Sequence, residues 1–337
     1  MGGYEYTPVE INKRDKESLV SKQNEALKVM PVLFAENDFE VTICEPTYAN
    51  YSWIPDLSIY DDYPDIRSYI TKGRFISDLT REKLINDNKR NFFCYSILKS
   101  VPLCFQSTLY DYGKYNQVED DISYSEQKLI NKFISVGISA PFMANYSVLE
   151  NLSGMTNVVE DYVNTFLYME NDTTHEAILL QEPDYVPAQY VDNTKFQPYN
   201  QDRVVEGRTL KMETGEQMIH YHANMATLLQ LGKWFDYMRK NGVYDNTRII
   251  LVSDHGRESK QLDELILNDG LCVSWFYPLL MVKDFNSEGF TTSEEFMTNG
   301  DVPALAVANL IDNPVNPFTG KTIDSSEKLA HDQYIVL

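Results

Sequence analysis

The sequence predicts an α/β domain with a largely parallel central sheet and helices on both faces. Helical and strand-like stretches alternate along the 337 residues without a repeat or a low-complexity linker, which is typical of this class. An unbroken apolar run at 249–252 suits a parallel strand that is covered on both faces. The strongest helical periodicity, at 216–240, precedes it. We therefore interpret residues 1–337 as one domain, in which 313–337 form a polar tail.

The first half of the chain begins with a helix and a strand. Apolar residues recur at helical spacing over 18–34, and 39–44 then has the composition of a strand. Residues 79–106 and 124–152 have helical character. Strand character returns at 165–169, which ends abruptly in polar residues. This order predicts a first βα unit, a helical middle and a second sheet strand.

The second half contains the clearest helix. Apolar residues follow one face of 216–240, and Asn241-Gly242 is a common C-terminal stop. We expect the run at 248–253 to be an interior strand of the parallel sheet, with the long helix on one face. Another strand is predicted at 277–282 and a last helix at 302–311.

The chain is strongly acidic, with a formal net charge of −21 and a pI ≈ 4.6. Because Lys and Arg are not clustered, neither nucleic acid nor an anionic bilayer is expected to bind through overall charge. An anionic substrate therefore needs a local device such as a metal ion. No apolar run approaches the roughly 18 residues of a membrane span. The four cysteines form no CxxC pair, so buried thiols are expected.

Polar residues follow two of the predicted strands at their carboxyl ends. Asp254 and His255 come after the apolar run, and Thr174 and His175 follow the strand at 165–169. Carboxyl ends of parallel strands share one edge of a sheet, so we expect Asp254, His255 and His175 to face one cleft. Carboxylate and imidazole together suit a zinc- or manganese-type ion. The alternative is that Asp254 caps a following helix and His255 is an ordinary loop histidine.

The stretch at 244–256 resembles the metal-binding segment of the alkaline phosphatase/sulfatase superfamily. It consists of a Tyr-Asp-Asn-Thr turn, an apolar strand and Asp-His-Gly, in the order that the superfamily shows. Two weaker similarities accompany it, in Thr-Thr-His-Glu at 173–176 and in Gly-Asp-Val-Pro-Ala-Leu at 300–305. Within the superfamily, the chain looks most like membrane-anchored lipoteichoic acid synthases and lipid phosphoethanolamine transferases.

The resemblance implies a sulfatase-like fold and a phospho- or sulfo-ester transferase or hydrolase with a threonine nucleophile. One divalent ion, either manganese, zinc or magnesium, is then expected at Asp254 and His255. His175 is expected to be catalytic, by protonating or hydrogen-bonding the leaving oxygen. The substrate is expected to carry phosphate or sulfate, as in a lipid head group or a surface polymer. The expected substrate-binding residues are Thr174, Arg257 and His222.

The resemblance also implies that part of the site lies upstream of residue 1. In the superfamily, an acidic metal ligand and the nucleophilic threonine precede the segment that Met1-Gly2-Gly3-Tyr4 resembles. The N-terminal strand, the nucleophile loop and a membrane-anchoring segment are therefore expected to be missing from this sequence. We expect the full-length protein to act at the extracytoplasmic face of the cell membrane. The chain itself is expected to be soluble, to hold metal weakly or not at all, and to be inactive.

Three of these assignments have alternatives. His222 lies near the buried stripe of the long helix, where a packed or hydrogen-bonded histidine is the commoner finding. His220 is a second candidate for a supporting role, but positions two apart on a helix point about 200° from each other and cannot share an ion. Arg257 can equally face solvent and pair with Glu258 or Asp263. For the whole chain, the alternative is a non-catalytic sulfatase-like module that binds or scaffolds.

Overall fold

The computed structural model describes residues 1–75, 77–112, 126–160, 163–199, 202–205, 207–326 and 328. Its helices are α1 (Pro8–Asn12), α2 (Leu19–Ala35), α3 (Asp78–Ser100), α4 (Leu103–Tyr110), α5 (Ala140–Glu150), α6 (Leu152–Met155), α7 (Gly215–Lys240) and α8 (Val302–Val307). Its strands are β1 (Glu40–Cys44), β2 (Ile66–Tyr69), β3 (Lys128–Asn131), β4 (Ile134–Val136), β5 (Thr165–Met169), β6 (Tyr190–Asp192), β7 (Arg203–Val205), β8 (Arg208–Leu210), β9 (Ile249–Val252) and β10 (Leu280–Lys283). The predicted mixed α/β class is confirmed, and the predicted tail is irregular over 313–326.

A parallel three-stranded sheet in the order β2-β1-β5 forms the first structural unit. Val41 of β1 pairs with Phe166 of β5, and both side chains point to the face that α2 covers. The ring of Phe34 in α2 stacks on Phe166 with centroids 4.2 Å apart. Val307 of α8 joins the same core. The opposite face of the sheet carries Leu167, whose side chain is about half exposed.

The expected cover of helices on both faces is therefore wrong for the part of this sheet that the structure describes. α5 and α6 pack against α7 instead of against the Leu167 face. The core between these helices is built from fully buried side chains, among them Phe142 and Tyr146 of α5 and Ala223 and Ala226 of α7. Burial of this apolar surface stabilises the helical unit separately from the sheet.

The prediction that 249–252 is an interior strand of the parallel sheet is also wrong. Among the described residues, β9 pairs with β10 alone, and the two strands are antiparallel. An apolar run without alternation reports that both faces of a strand are partly covered, but it carries no information about the direction of its partner. Arg248 fixes the start of β9, because its guanidinium binds Asp284 after β10 and the carbonyl oxygens of Leu305 and Ala308.

The helix predicted over 124–152 begins only at Ala140, because a β-hairpin of β3 and β4 precedes it. The Asn131 side chain accepts hydrogen bonds from the backbone N–H groups of Phe133 and Ile134. Such local bonds favour a turn over a helix. Ser139 then caps α5 by accepting from the N–H of Phe142.

The longest helix, α7, agrees with the prediction at both ends. Thr214 and Gln217 form a reciprocal capping box at its start. Its end is followed by Gly242 at a φ of +70°, a conformation in which glycine is unstrained. None of the helices within the described residues is both long and apolar enough to cross a membrane.

Candidate functional site

The turn after β9 holds the Asp-His-Gly segment in a fixed conformation. The Asp254 carboxylate accepts a hydrogen bond from the N–H of His255 at 2.9 Å. Gly256 donates its N–H to the carbonyl oxygen of Trp275 at 2.9 Å. A Cβ atom at position 256 would stand 1.9 Å from the carbonyl oxygen of Ser274. Only glycine fits there, because any side chain would collide with the backbone of the facing turn.

The contacts of His255 determine which of its ring nitrogens is available. Nδ1 lies 2.6 Å from the carbonyl oxygen of Gly256, and a carbonyl oxygen can only accept a hydrogen bond. In the neutral ring Nδ1 therefore carries the hydrogen, and the lone pair of Nε2 is free for a ligand. Nε2 lies 3.6 Å from Oδ2 of Asp254. Both side chains are substantially exposed, so an ion can reach them from solvent.

This donor pair fits a divalent ion in chemistry and in spacing. Two donors that each bind a tetrahedral zinc at about 2.0–2.2 Å stand about 3.4 Å apart, close to the observed 3.6 Å between Asp254 Oδ2 and His255 Nε2. The pair supplies half of a four-ligand set. In the described part of the chain, no group of three or more His, Cys, Asp or Glu side chains converges as a metal site.

The alternative that Asp254 caps a helix does not match the local structure. In the described residues that follow, the next helical element is a single 3₁₀ turn at Asp263–Leu265. The backbone is instead fixed by Asn299, whose side-chain amide donates to the carbonyl oxygens of Ser253 and Asp254 at 3.0 Å each. The segment at 300–305 that resembles the superfamily thus begins beside the Asp-His-Gly turn.

The N-terminal residues are attached to this same region. The Tyr4 hydroxyl donates to Oδ2 of the buried Asp301 at 3.0 Å and accepts from the Thr298 hydroxyl at 2.9 Å. Burial raises the pKa of Tyr4 to about 12. Glu5 accepts from the side-chain amide of Asn316 at 2.8 Å. The segment at 1–4, the turn at 298–301 and the end of β9 therefore adjoin one another.

The first turns of α7 lie between the two predicted strand-end motifs. His220 lies near the backbone of Thr174, and the pKa of His220 is lowered by burial and by the positive charge of Arg257. His175 also contributes to lowering the pKa of His220. Arg257 is ion-paired with Glu216 at 3.2 Å, rather than with Glu258 or Asp263. His175 itself is largely exposed, with Nδ1 3.7 Å from a Glu176 carboxylate oxygen.

These contacts group Thr174, His175 and Arg257 around His220. Sequence reasoning gave His220 only a minor place, because these neighbours lie 37 to 46 positions away along the chain. The helical spacing was nevertheless informative. Positions 220 and 222 point about 200° apart, and the structure turns His220 toward the Thr174 loop and His222 toward the core.

His222 is completely buried, so it does not reach the surface where a substrate would lie. Its Nδ1 is 3.1 Å from the backbone N–H and carbonyl groups of Leu180, and Nε2 is 3.2 Å from a Glu182 oxygen. The ring of Tyr185 meets it edge-on at 5.1 Å. These contacts are those of a packed, hydrogen-bonded histidine. They favour this alternative over the substrate-binding role that was expected for His222.

Glu170 is a candidate that the sequence reasoning did not single out. It follows β5 directly, and burial raises its pKa. It accepts a hydrogen bond from the Tyr168 hydroxyl at 3.2 Å and a long one from the N–H of Thr47 at 3.4 Å. The charge of Asp254 is among the causes that raise the pKa of Tyr168, after burial and Glu170. The signal that could have identified Glu170 is its position, because it is a carboxyl group at the carboxyl end of a parallel strand.

Comparisons of the chain with protein-family models, curated proteins and solved structures found no match. The site's own geometry therefore carries the functional argument. It combines a two-donor turn at 254–255, a cationic and imidazole group around His220, and a partly buried carboxyl group at Glu170. Such an arrangement can hold a cation and an anionic group side by side.

Proposed function

We propose that this chain is the catalytic domain of a metal-dependent phospho- or sulfo-ester transferase or hydrolase of the alkaline phosphatase/sulfatase type. The observation that supports the proposal best is the pairing of Asp254 and His255. Their donor atoms are 3.6 Å apart, and the hydrogen bond of His255 Nδ1 to Gly256 orients the free nitrogen toward the carboxylate.

The residues around His220 supply the substrate side of the proposal. Arg257 is exposed and can pair with a phosphate or sulfate oxygen by giving up its exposed partner Glu216. In this proposal His175 protonates or hydrogen-bonds the leaving oxygen. His220 lies near the backbone of Thr174, beside the loop that carries His175.

A bound divalent ion supplies Lewis-acid stabilisation of the anionic group and lowers the pKa of a coordinated hydroxyl. Asp254 and His255 are two of its ligands in this proposal. The resemblance implies that an acidic residue and a threonine nucleophile from outside this sequence complete the set. It also implies action at the extracytoplasmic face of a membrane, on a lipid head group or a surface polymer.

Manganese binding tests the proposal directly. The free Mn²⁺ signal in electron paramagnetic resonance is titrated with the wild-type chain and with Asp254→Asn, His255→Gln, Asp236→Asn and His175→Gln. We expect weak binding that Asp254→Asn and His255→Gln abolish. Asp236, an exposed partner of Arg239 on α7, and His175 are the matched controls, and their replacement leaves binding unchanged.

Equal binding by the Asp254→Asn and Asp236→Asn chains would show that the ion lies elsewhere, and the proposed metal site would be abandoned. Adding the implied upstream segment distinguishes a catalytic domain from the non-catalytic alternative. A protein with that segment that binds Mn²⁺ at this pair but turns over neither aryl phosphates nor aryl sulfates is a binding module.

A further inference from the structure

The α3–α4 hairpin exposes an apolar surface of unusual extent. None of the residues 88–110 is buried, although all of them are described. Phe92 is 74% exposed and Leu103 is 84% exposed. The other large apolar side chains that are exposed in this stretch are Phe93, Tyr95, Ile97, Phe105 and Tyr110. Single exposed apolar residues are normal on a protein surface, but a continuous group of this size indicates a binding surface.

The exposed apolar side chains of α3 spread over an arc of about 200° around the helix. Successive helical residues are separated by about 100°, so Phe92, Phe93, Tyr95 and Ile97 do not share one face. A single rigid protein surface covers only one side of a helix. The fluid interface of a bilayer adapts to an apolar arc of this width, which makes lipid the better match to this distribution.

The polar side chains near the bend of the hairpin donate hydrogen bonds to carbonyl oxygens of the hairpin's own backbone. The hydroxyls of Ser96 and Ser100 donate to the carbonyl oxygens four residues earlier, at 2.6 and 2.7 Å. The Gln106 amide donates to the carbonyl oxygen of Val101 at 3.1 Å. These bonds leave the polar side chains of the bend satisfied when the hairpin enters an apolar environment.

The charge of the hairpin is opposite to that of the chain. Residues 88–110 contain three basic residues, Lys89, Arg90 and Lys99, and no acidic residue, within a chain of net charge −21. The net charge of the whole chain argues against binding to an anionic bilayer, but it does not reflect this local excess of basic residues. At physiological salt, acidic groups that lie more than about 8–10 Å from the bilayer surface are screened from it. The hairpin is therefore the part of the chain that an anionic bilayer attracts electrostatically.

We propose that the α3–α4 hairpin docks this protein on an anionic lipid bilayer and lies within the interface of the head groups and acyl chains. The aromatic and aliphatic side chains enter the acyl boundary, as in other interfacial helices. Lys89 and Lys99 contact lipid phosphates, and the four-carbon stems of these lysines let their ammonium groups reach the head groups.

Vesicle sedimentation with the full chain tests this proposal. The probes are vesicles of phosphatidylcholine alone and vesicles in which about a third of the lipid is phosphatidylglycerol. We expect binding to the second kind, weakened about tenfold or more by Phe92→Glu with Phe105→Glu. Phe290→Glu is the matched control, because Phe290 is 75% exposed in a loop elsewhere, and it leaves binding unchanged. Lys89→Gln with Lys99→Gln removes the preference for phosphatidylglycerol.

An environment-sensitive fluorophore on Cys104 reports the location of the hairpin. Cys104 is exposed and Cys94 is partly exposed, against the expectation of buried thiols, while Cys44 and Cys272 are buried. In a Cys94→Ser chain, the labelled Cys104 shifts to shorter emission wavelength when vesicles are added. Absence of vesicle binding, or binding that the Phe92→Glu, Phe105→Glu chain retains, overturns the proposal. A dimer in vesicle-free solution that the same double variant dissociates also overturns it, in favour of a second copy.

Discussion

Replacing Gly256 by alanine tests the turn that orients Asp254 and His255. The added Cβ would stand 1.9 Å from the Ser274 carbonyl oxygen, where ordinary contacts begin at 3.4 Å. The two segments must therefore separate by about 1.5 Å. This separation breaks the hydrogen bond from Gly256 to Trp275, which contributes about 1 kcal/mol.

Overpacking strain adds about 1–3 kcal/mol to the loss of that hydrogen bond. We therefore expect Gly256→Ala to lower the free energy of unfolding by about 2–4 kcal/mol. The same movement displaces the His255 ring from Asp254, so weak Mn²⁺ binding is lost as well. Urea denaturation followed by circular dichroism measures the first effect, and the Mn²⁺ titration measures the second.

Gly232 provides a control of opposite sign. It lies inside α7, and a Cβ built there meets nothing within 4 Å. Because glycine is a poor helix former, Gly232→Ala should raise the free energy of unfolding by about 0.5–1 kcal/mol. If Gly256→Ala proves as stable as the wild type, the backbone contact between 256 and 274 is absent in solution and the reasoning about the turn fails.

Three further predictions concern single residues and the whole chain. His222→Ala should cost about 3 kcal/mol in unfolding free energy, because it removes a completely buried ring together with its hydrogen bond to Leu180; an unchanged urea midpoint would refute its core role. The folded-state pKa of His220 is lowered, so the unfolded chain binds more protons near pH 6. The stability that neutral His220 contributes is therefore present above the unfolded pKa of about 6.5 and lost as pH falls. His220→Gln should flatten the dependence of stability on pH between about 5 and 7, and an unaltered slope would contradict this. Finally, the 337-residue chain should not turn over aryl phosphates or aryl sulfates with added metal; turnover that Asp254→Asn abolishes would show that two ligands suffice.

Elements with strong local signals could be predicted from the sequence. α2 and α7 have periodic apolar residues and good caps, and β1 and β5 are short apolar runs between polar stops. The partner of β9 could not be predicted, because strand direction depends on which segment lies beside it. Likewise, the turn at Asn131 outweighed the helical composition of 124–152 through two side-chain hydrogen bonds.

The candidate site was predictable where its residues are adjacent in sequence. Asp254 and His255 are neighbours, so a motif alone could pair them. Glu170 was not predicted as a site residue, and His220 was predicted only as a candidate for a supporting role, because their surroundings depend on distant segments. The contact between Thr47 and Glu170 spans 123 positions, and no local pattern encodes such a separation.

The hydrogen bond between Tyr4 and Asp301 spans 297 positions, which affects the order of folding. Closing a flexible loop of that length costs about 5 kcal/mol of chain entropy, so this contact does not form early. During synthesis the ribosome releases Tyr4 long before Asp301 exists, while α2 can already pack on β1 and β2. The contact of Tyr4 with the turn beside Asp254 is thus completed only after Asp301 has left the ribosome.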